Sequence, residues 1–159
     1  MRKIISQDDE LFHVQLGADH PEYQSVALRR RSGCKNYKVV EVDADKLIHY
    51  SNLNRPDFVI APVECWQPSE REAFFQFLAP PRPLEKPVEM PIISFNDECV
   101  VQYVRKWCFF KVAVRHRRIY IGYTNGRHRT RYLYYAGAKL IPVMCPDSDV
   151  SALKFYCGP

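Results

Sequence analysis

The chain has 159 residues, with 23 Lys or Arg against 18 Asp or Glu and a net charge of +5. That length suffices for one domain with its own core, and 47% hydrophobic residues exclude a disordered chain. No window is apolar over the ~18 residues that a membrane helix needs, and Asp8, Asp9 and Glu10 interrupt any apolar leader, so neither export nor membrane insertion is expected.

Residues 11–16 read as a first strand and 24–30 as its partner, across a turn at Ala18 to Pro21. Lys38 to Val42 is a β-branched strand. Asp43 caps a short helix over 44–50, with Leu47 facing inward. A loop over 52–56 precedes a short apolar strand at 58–61. Ser69 and Glu72 make a capping-box pattern. It opens a helix whose stripe is Phe74, Phe77 and Leu78, and Pro80 ends it. Five prolines over 80–91 make a stiff extended connection inside a single domain spanning 1–159.

Positions 100, 103, 104 and 107 fit a helix capped at Asn96 or Asp97, while the valines favour a strand. The spacing is read as a helix. Residues 109–114 and 118–123 form strands joined by a hairpin turn at Arg115, His116 and Arg117. A helix then runs over 127–136, stopped by Gly137. The last strand is 139–144, where Pro142 implies an edge or a bulge.

The six cysteines, at 34, 65, 99, 108, 145 and 157, form no CxxC pair and no zinc spacing with histidine. They read as free thiols in a reducing cytoplasm. Charge is unevenly spread. From Cys99 to Pro146 there are ten Lys or Arg and no acid, and nine aromatic rings are interleaved. Most of these rings are assigned to the core. The acid-free cations are assigned to DNA binding without sequence preference, with Lys111, Arg115, Arg117 and Arg118 as the contacts.

The stretch that carries chemistry is 119–143, which reads as strand, tight turn, helix and strand. Asn125 and Gly126 permit the crowded backbone of such a turn. The first turn of a helix leaves N–H groups unpaired, and its dipole favours an anion. Arg127, His128, Arg129 and Arg131 surround that end. Without an anion, cations there oppose the dipole; a phosphate reverses the sign, and arginine presents the matching fork. Helical rows put Arg127, Arg131 and Tyr134 on one stripe. Arg129 heads the core-facing row of Leu133 and Ala136 and reaches a pocket floor. The competing assignment pairs Arg129 with a structural carboxylate, Glu41, Asp43 or Glu64. His128 is either a general acid or base or a hydrogen-bonded structural histidine.

The run Gly126-Arg127-His128-Arg129-Thr130-Arg131, between a hydrophobic strand and a helix ending Ala136-Gly137, resembles the G-x-H-R and G-x-x-R-x-R boxes of the ParB/sulfiredoxin superfamily. Residues 39–43 with Leu47 are similar to its first strand and short helix, and Asn54-Arg55-Pro56 to a polar loop that follows. The helix ending Phe77-Leu78, the Pro-rich stretch ending Met90-Pro91 and the box together look most like the plasmid fertility inhibition factors. The resemblance implies an α+β fold, a ParB/sulfiredoxin-like domain with a mixed β-sheet and a few helices. It also implies a bacterial cytoplasmic protein that blocks conjugative DNA transfer, as an ATPase and nuclease. Its phosphate residues would be Asn125, Gly126, Arg127, Arg129 and Arg131, with His128 and Arg129 catalytic.

Two departures stand out. Arg127 replaces the catalytic cysteine of sulfiredoxin, which removes sulfinic-acid reduction. Asn125 replaces an acid that often precedes the box glycine, so a Mg²⁺ ion would need Glu41, Asp43 or Glu64. The expected ligands are ATP or another nucleotide, with Mg²⁺ as companion ion. The expected partners are DNA and components of the conjugation (type IV secretion) machinery. The alternative is a non-catalytic module that holds DNA or that machinery through the basic 99–146 surface.

Overall fold

The computed structural model describes residues 3–6, 9–80, 88–106 and 110–159. Strands β1 (Lys3–Ser6), β2 (Asp9–Gln15) and β3 (Ser25–Arg29) form an antiparallel sheet in that order. Phe12, Val14, Val26 and Leu28 face inward at alternate positions, the period of a half-buried strand. The Arg29 N–H donates to Val88 O at 2.8 Å, and the Met90 N–H donates to Arg29 O at 2.9 Å. These two bonds pin the entry of the second sheet to the first.

The second sheet has the order β4-β7-β5-β6, built from β4 (Tyr37–Asp43), β5 (Ile92–Lys106), β6 (Phe110–Asn125) and β7 (Leu140–Pro146). It is mixed: β4 with β7 and β5 with β6 are antiparallel, while β5 meets β7 in parallel at Ile92 and Met144. Helices α1 (Ala44–Asn52), α2 (Pro68–Leu78), α3 (Arg127–Tyr135) and α4 (Val150–Cys157) accompany the sheets. Asp43 caps α1 as expected, accepting the Lys46 N–H at 2.9 Å. One apolar cluster takes Phe12 and Leu28 from the first sheet, Ile141 from the second, and Leu47, Leu133 and Leu153 from helices. The α+β class expected from the chain holds.

Several local expectations do not. Residues 96–106 are strand, not helix. Val100, Val101 and Val104 branch at Cβ and favour extended backbone, and β6 offers them a continuous ladder out to Lys106. The hairpin turn expected at 115–117 is absent, because β6 runs straight through those residues. The link between β5 and β6 is 107–109, outside the described residues, and so are Trp107, Cys108 and Phe109. Residues 99–105 and 110–113 are exposed, so the distal part of this ribbon has no core side. That is why a run of cations can sit in mid-strand.

The rings of the basic segment are also less buried than expected. Tyr132 joins the core, but Tyr103 is 69% and Phe110 72% exposed, and Tyr134 and Tyr135 are exposed too. Residues 58–61 form no strand; a 3₁₀ turn at Pro56–Phe58 is followed by backbone that joins no sheet. Helix α2 starts two residues early, with Gln67, not Ser69, closing the capping box: its N–H donates to Glu70 Oε2 at 3.3 Å. Strand β1 and helix α4 are not announced by the sequence pattern.

Pro142 lies in an inner strand rather than at an edge. The Met144 N–H points toward β5 and donates to Pro91 O at 2.8 Å. Position 142, two residues earlier, faces the same way. There β5 has not yet begun and residues 88–90 bond β3 instead, so the missing N–H breaks no ladder bond.

Five of the cysteines, Cys34, Cys65, Cys99, Cys145 and Cys157, are free thiols. Burial pushes the thiols of Cys145 and Cys157 up to about 11, so both are inert at neutral pH.

Leu133 is fully buried on the inner row of α3. Leu133→Ala should cost about 2–5 kcal/mol of unfolding free energy in a denaturant titration. An unchanged midpoint would contradict this helix phase.

Candidate functional site

Strand β6 ends at Asn125 and α3 begins at Arg127, so Gly126 alone must reverse the chain. It does so with φ at +84°, the left-handed region that side chains disfavour. A Cβ on Gly126 would lie 2.9 Å from Pro91 Cα and 3.1 Å from Pro91 Cβ. The glycine is therefore required by the turn and by close packing on the β5 entry. The buried Thr130 closes the first helical turn, its Oγ1 donating to Gly126 O at 3.1 Å. The first turn of α3 contains no acid, and no side chain caps it. The N–H groups at its start have no intrahelical acceptor.

This turn forms one end of an open cleft of about 700 Å³. Asn125, Gly126, Arg127, His128 and Arg129 line that end, and Phe58, Phe74 and Phe77 line the other side. The Arg129 guanidinium sits 5.7 Å from the Phe77 ring centre, a cation–π distance. His128 stacks on Phe74 with centroids 6.0 Å apart and meets Trp66 edge-on at 5.7 Å. Trp66 is itself held by its indole N–H donating to Ala61 O at 2.9 Å. Burial, reinforced by the neighbouring Arg127 charge and opposed by Glu70, holds the His128 imidazolium below its ordinary value. His128 is thus neutral near pH 7 and able to accept a proton. The arrangement can hold an anion at the helix start, with an aromatic group alongside.

The structure separates Arg131 from Gly126, His128 and Arg129, while a small cavity beside Tyr123 is shared by Arg127 and Arg131. Leu133 and Ala136 are buried as the helical rows require, but the most buried cation is Arg131, 7% exposed, not Arg129. Arg131 faces away from the Gly126 cleft, toward α1, and donates to Asn52 Oδ1. It lines a different cleft, with Asn52, Asn54 and Pro56. Beneath both, the Tyr123 hydroxyl meets Ser51 Oγ at 2.9 Å, and Ser51 Oγ donates to Leu47 O at 2.6 Å. Burial raises the Tyr123 phenol, so it stays protonated and acts as the donor.

The suggested metal carboxylates are not assembled. Asp43 is spent capping α1, Glu41 lies on β4, and Glu64 is exposed in the 3₁₀ turn Val63–Cys65. Among the described residues, no three His, Cys, Asp or Glu side chains gather to hold a metal ion. The described residues therefore do not by themselves make a protein-held metal centre.

The basic ribbon is partly neutralised. The acid-free stretch begins at Cys99, but the fold brings the two preceding acids back across the ladder. Arg117 grips Asp97 through Nε at 3.0 Å and Nη2 at 2.7 Å. Arg118 donates to Glu98 at 3.0 Å, and the Tyr120 hydroxyl donates to the same carboxylate at 2.6 Å. The hydrogen bond from Arg117 holds Asp97 below the usual carboxylate range, and those from Tyr120 and then Arg118 do the same for Glu98. Lys111 and Arg115 stay exposed. The register puts them on one face of the ribbon with Tyr103 and Arg105.

Sequence reasoning missed the aromatic wall. Phe74 and Phe77 read as core, yet Phe77 is 38% exposed, and only Leu78 of that stripe is buried. A stripe of three apolar side chains at helical spacing does not say which of them meets the core. Asn52 and Ser51 carried no signal, since each is a common residue at a helix end.

Fold and cleft together define a mixed α+β protein with a cation-lined pocket at a helix start. A family model described as plasmid fertility inhibition factor matches residues 39–158. The chain belongs to that family, as the box residues suggested. The fold is similar to the crystal structure of Oncogenic Suppression Activity Protein, a plasmid fertility inhibition factor, solved as a gold(I) cyanide derivative. The TM-score is 0.64 and the identity 13%, over 99% of this chain and 74% of the other. Among proteins with curated descriptions, none matches this chain. Among the described residues, no helix is long and apolar enough to cross a membrane.

Gly126→Ala tests the turn. The positive φ and the Pro91 contact together should lower stability by about 1–3 kcal/mol in a denaturant titration, more than Gly33→Ala, whose Cβ would meet open space.

Proposed function

We propose that the cleft at the start of α3 binds a phosphate of a nucleotide or of DNA and hydrolyses a phosphate bond, and that this activity blocks conjugative DNA transfer. The observation that carries the reading is the meeting, in one cleft, of acid-free helix N–H groups, Arg127, Arg129 and a neutral His128. The backbone N–H groups and Arg129 would hold the phosphoryl oxygens and stabilise charge as it develops on them. His128 would accept the proton of the attacking water. The rings of Phe58, Phe74 and Phe77 offer stacking faces for a base. Membership of the fertility inhibition family supports transfer as the process affected.

A second reading has its own support. Asn125 stands where an acid would help hold a metal, and the described carboxylates do not gather into a metal site. On that reading the cleft only binds, and the ribbon holds DNA or a component of the conjugation machinery through Lys111 and Arg115.

Arg129→Ala should reduce nucleotide or DNA hydrolysis about 10²–10³-fold while the protein stays folded, and Arg129→Lys should be substantially impaired because it loses the fork. Hydrolysis assays beside thermal melting check this; a folded Arg129→Ala at full rate would refute the phosphate cleft. A variant that loses hydrolysis yet still inhibits conjugation would favour the binding reading.

The His128 shift fixes the sign of a pH effect. Its lowered value keeps the base unprotonated further into acid than an ordinary histidine. The acid limb of the hydrolysis profile should therefore have its midpoint below ~6.5. A midpoint above that value would remove His128 as the base.

For the ribbon, Lys111→Ala with Arg115→Ala should weaken DNA binding and lower the log–log salt slope by about 1.4–1.8. Arg117→Ala should change it less, because that charge is already paired with Asp97.

A further inference from the structure

The cleft on the far side of residues 56–60 carries chemistry that the first one leaves unused. Its volume is about 550 Å³, and its one cation is Arg131. An arginine keeps its proton at any accessible pH. Arg131 is 7% exposed, so a full positive charge lies buried here. Such a charge is costly unless a counter-charge or a full set of hydrogen bonds compensates it.

Compensation is incomplete. The guanidinium has five N–H donors, and its hydrogen-bond partner is the neutral Asn52 Oδ1. Among the described residues, the ion pairs do not include Arg131. Glu64 acts on it only at longer range, from an exposed position. Burial disfavours the cationic form, as expected for a charge short of partners. Asn52 accepts with its oxygen, which leaves its amide NH₂ to donate beside the guanidinium.

We propose that this cleft is a second anion site, separate from the one at the start of α3, in which Arg131 and Asn52 hold a phosphate group. A phosphate suits the site better than a carboxylate. It brings up to two negative charges and several acceptor oxygens to a planar donor fork, whereas a carboxylate brings one charge and two oxygens. The cleft is far larger than one ion, so the phosphate belongs to a larger molecule, either a nucleotide or a nucleic-acid backbone. The walls of Pro56, Val59, Ile60 and Pro62 accept its apolar part. The site stands whether or not the first cleft hydrolyses anything.

The test is thermal melting of the full chain in inorganic phosphate against chloride at matched ionic strength. An Arg127→Ala/Arg129→Ala background silences the first cleft. That background should still gain about 3 °C or more with saturating phosphate, and adding Arg131→Met should abolish the gain. Without phosphate, Arg131→Met should melt no lower than its background, because it removes an undercompensated charge. Asn52→Asp supplies an internal counter-charge and should raise the melting temperature while removing the phosphate response. A response that survives Asn52→Asp, or an Arg131→Met variant that melts clearly lower, would overturn the proposal. So would an equal response to acetate. A greater response to a short oligonucleotide than to ATP at equal phosphate would make a backbone phosphate the source, and the reverse would make it a nucleotide.

Discussion

Gly126 turns with φ at +84°, and the space where its side chain would stand is filled by Pro91. Most of the functional geometry depends on that contact. Pro91 leads into β5, and its carbonyl accepts the Met144 N–H that joins β5 to β7. Just upstream, the same stretch is bonded to β3 through Val88 and Met90. The turn that starts α3 therefore rests on the point where the two sheets meet. A helix start placed on such a junction cannot shift without disturbing both, so its N–H groups are held in fixed positions before any ligand arrives.

Charge is organised around α3 in a way that stability alone does not explain. The first turn lacks acids and carries Arg127, His128 and Arg129, which oppose the helix dipole. Arg131 follows on the other side and is buried with a neutral partner. A helix selected only for folding would place carboxylates there. The segment 56–60 lies between the two clefts, and Phe58 lines the first while Val59 and Ile60 line the second. Two successive cation-bearing sites thus share one thin wall.

The β5–β6 ribbon shows the opposite economy of charge. Asp97 and Glu98 tie down Arg117 and Arg118 near its base, where Phe95 also packs on Tyr156 and its N–H donates to Asp149. Further out, Lys111 and Arg115 remain exposed. Paired charges stiffen the root of the ribbon, and the unmatched ones lie toward its tip. An electrostatic contact made by the ribbon would thus be made away from the body of the protein.

Local chemistry was legible in the chain. Asp43 followed by a helical pattern specified the cap of α1, and Asn125-Gly126 before an amphipathic run specified the turn and α3, because caps and left-handed turns depend on a few neighbouring residues. The row containing Leu133 and Ala136 was equally readable from helical period alone. What depends on distant partners was not. Residues 96–106 fit a helix by spacing and became a strand because β6 supplied a ladder. The acids that neutralise Arg117 and Arg118 stand about twenty residues away in the chain and meet them only through the hairpin register. Period placed Arg131 on the same stripe as Arg127; its burial beside Asn52 came from the packing of α1 against α3. The sequence by itself determined which residues could hold an anion. Only tertiary structure decided which cleft each one serves, because that choice is made by neighbours the chain brings from elsewhere.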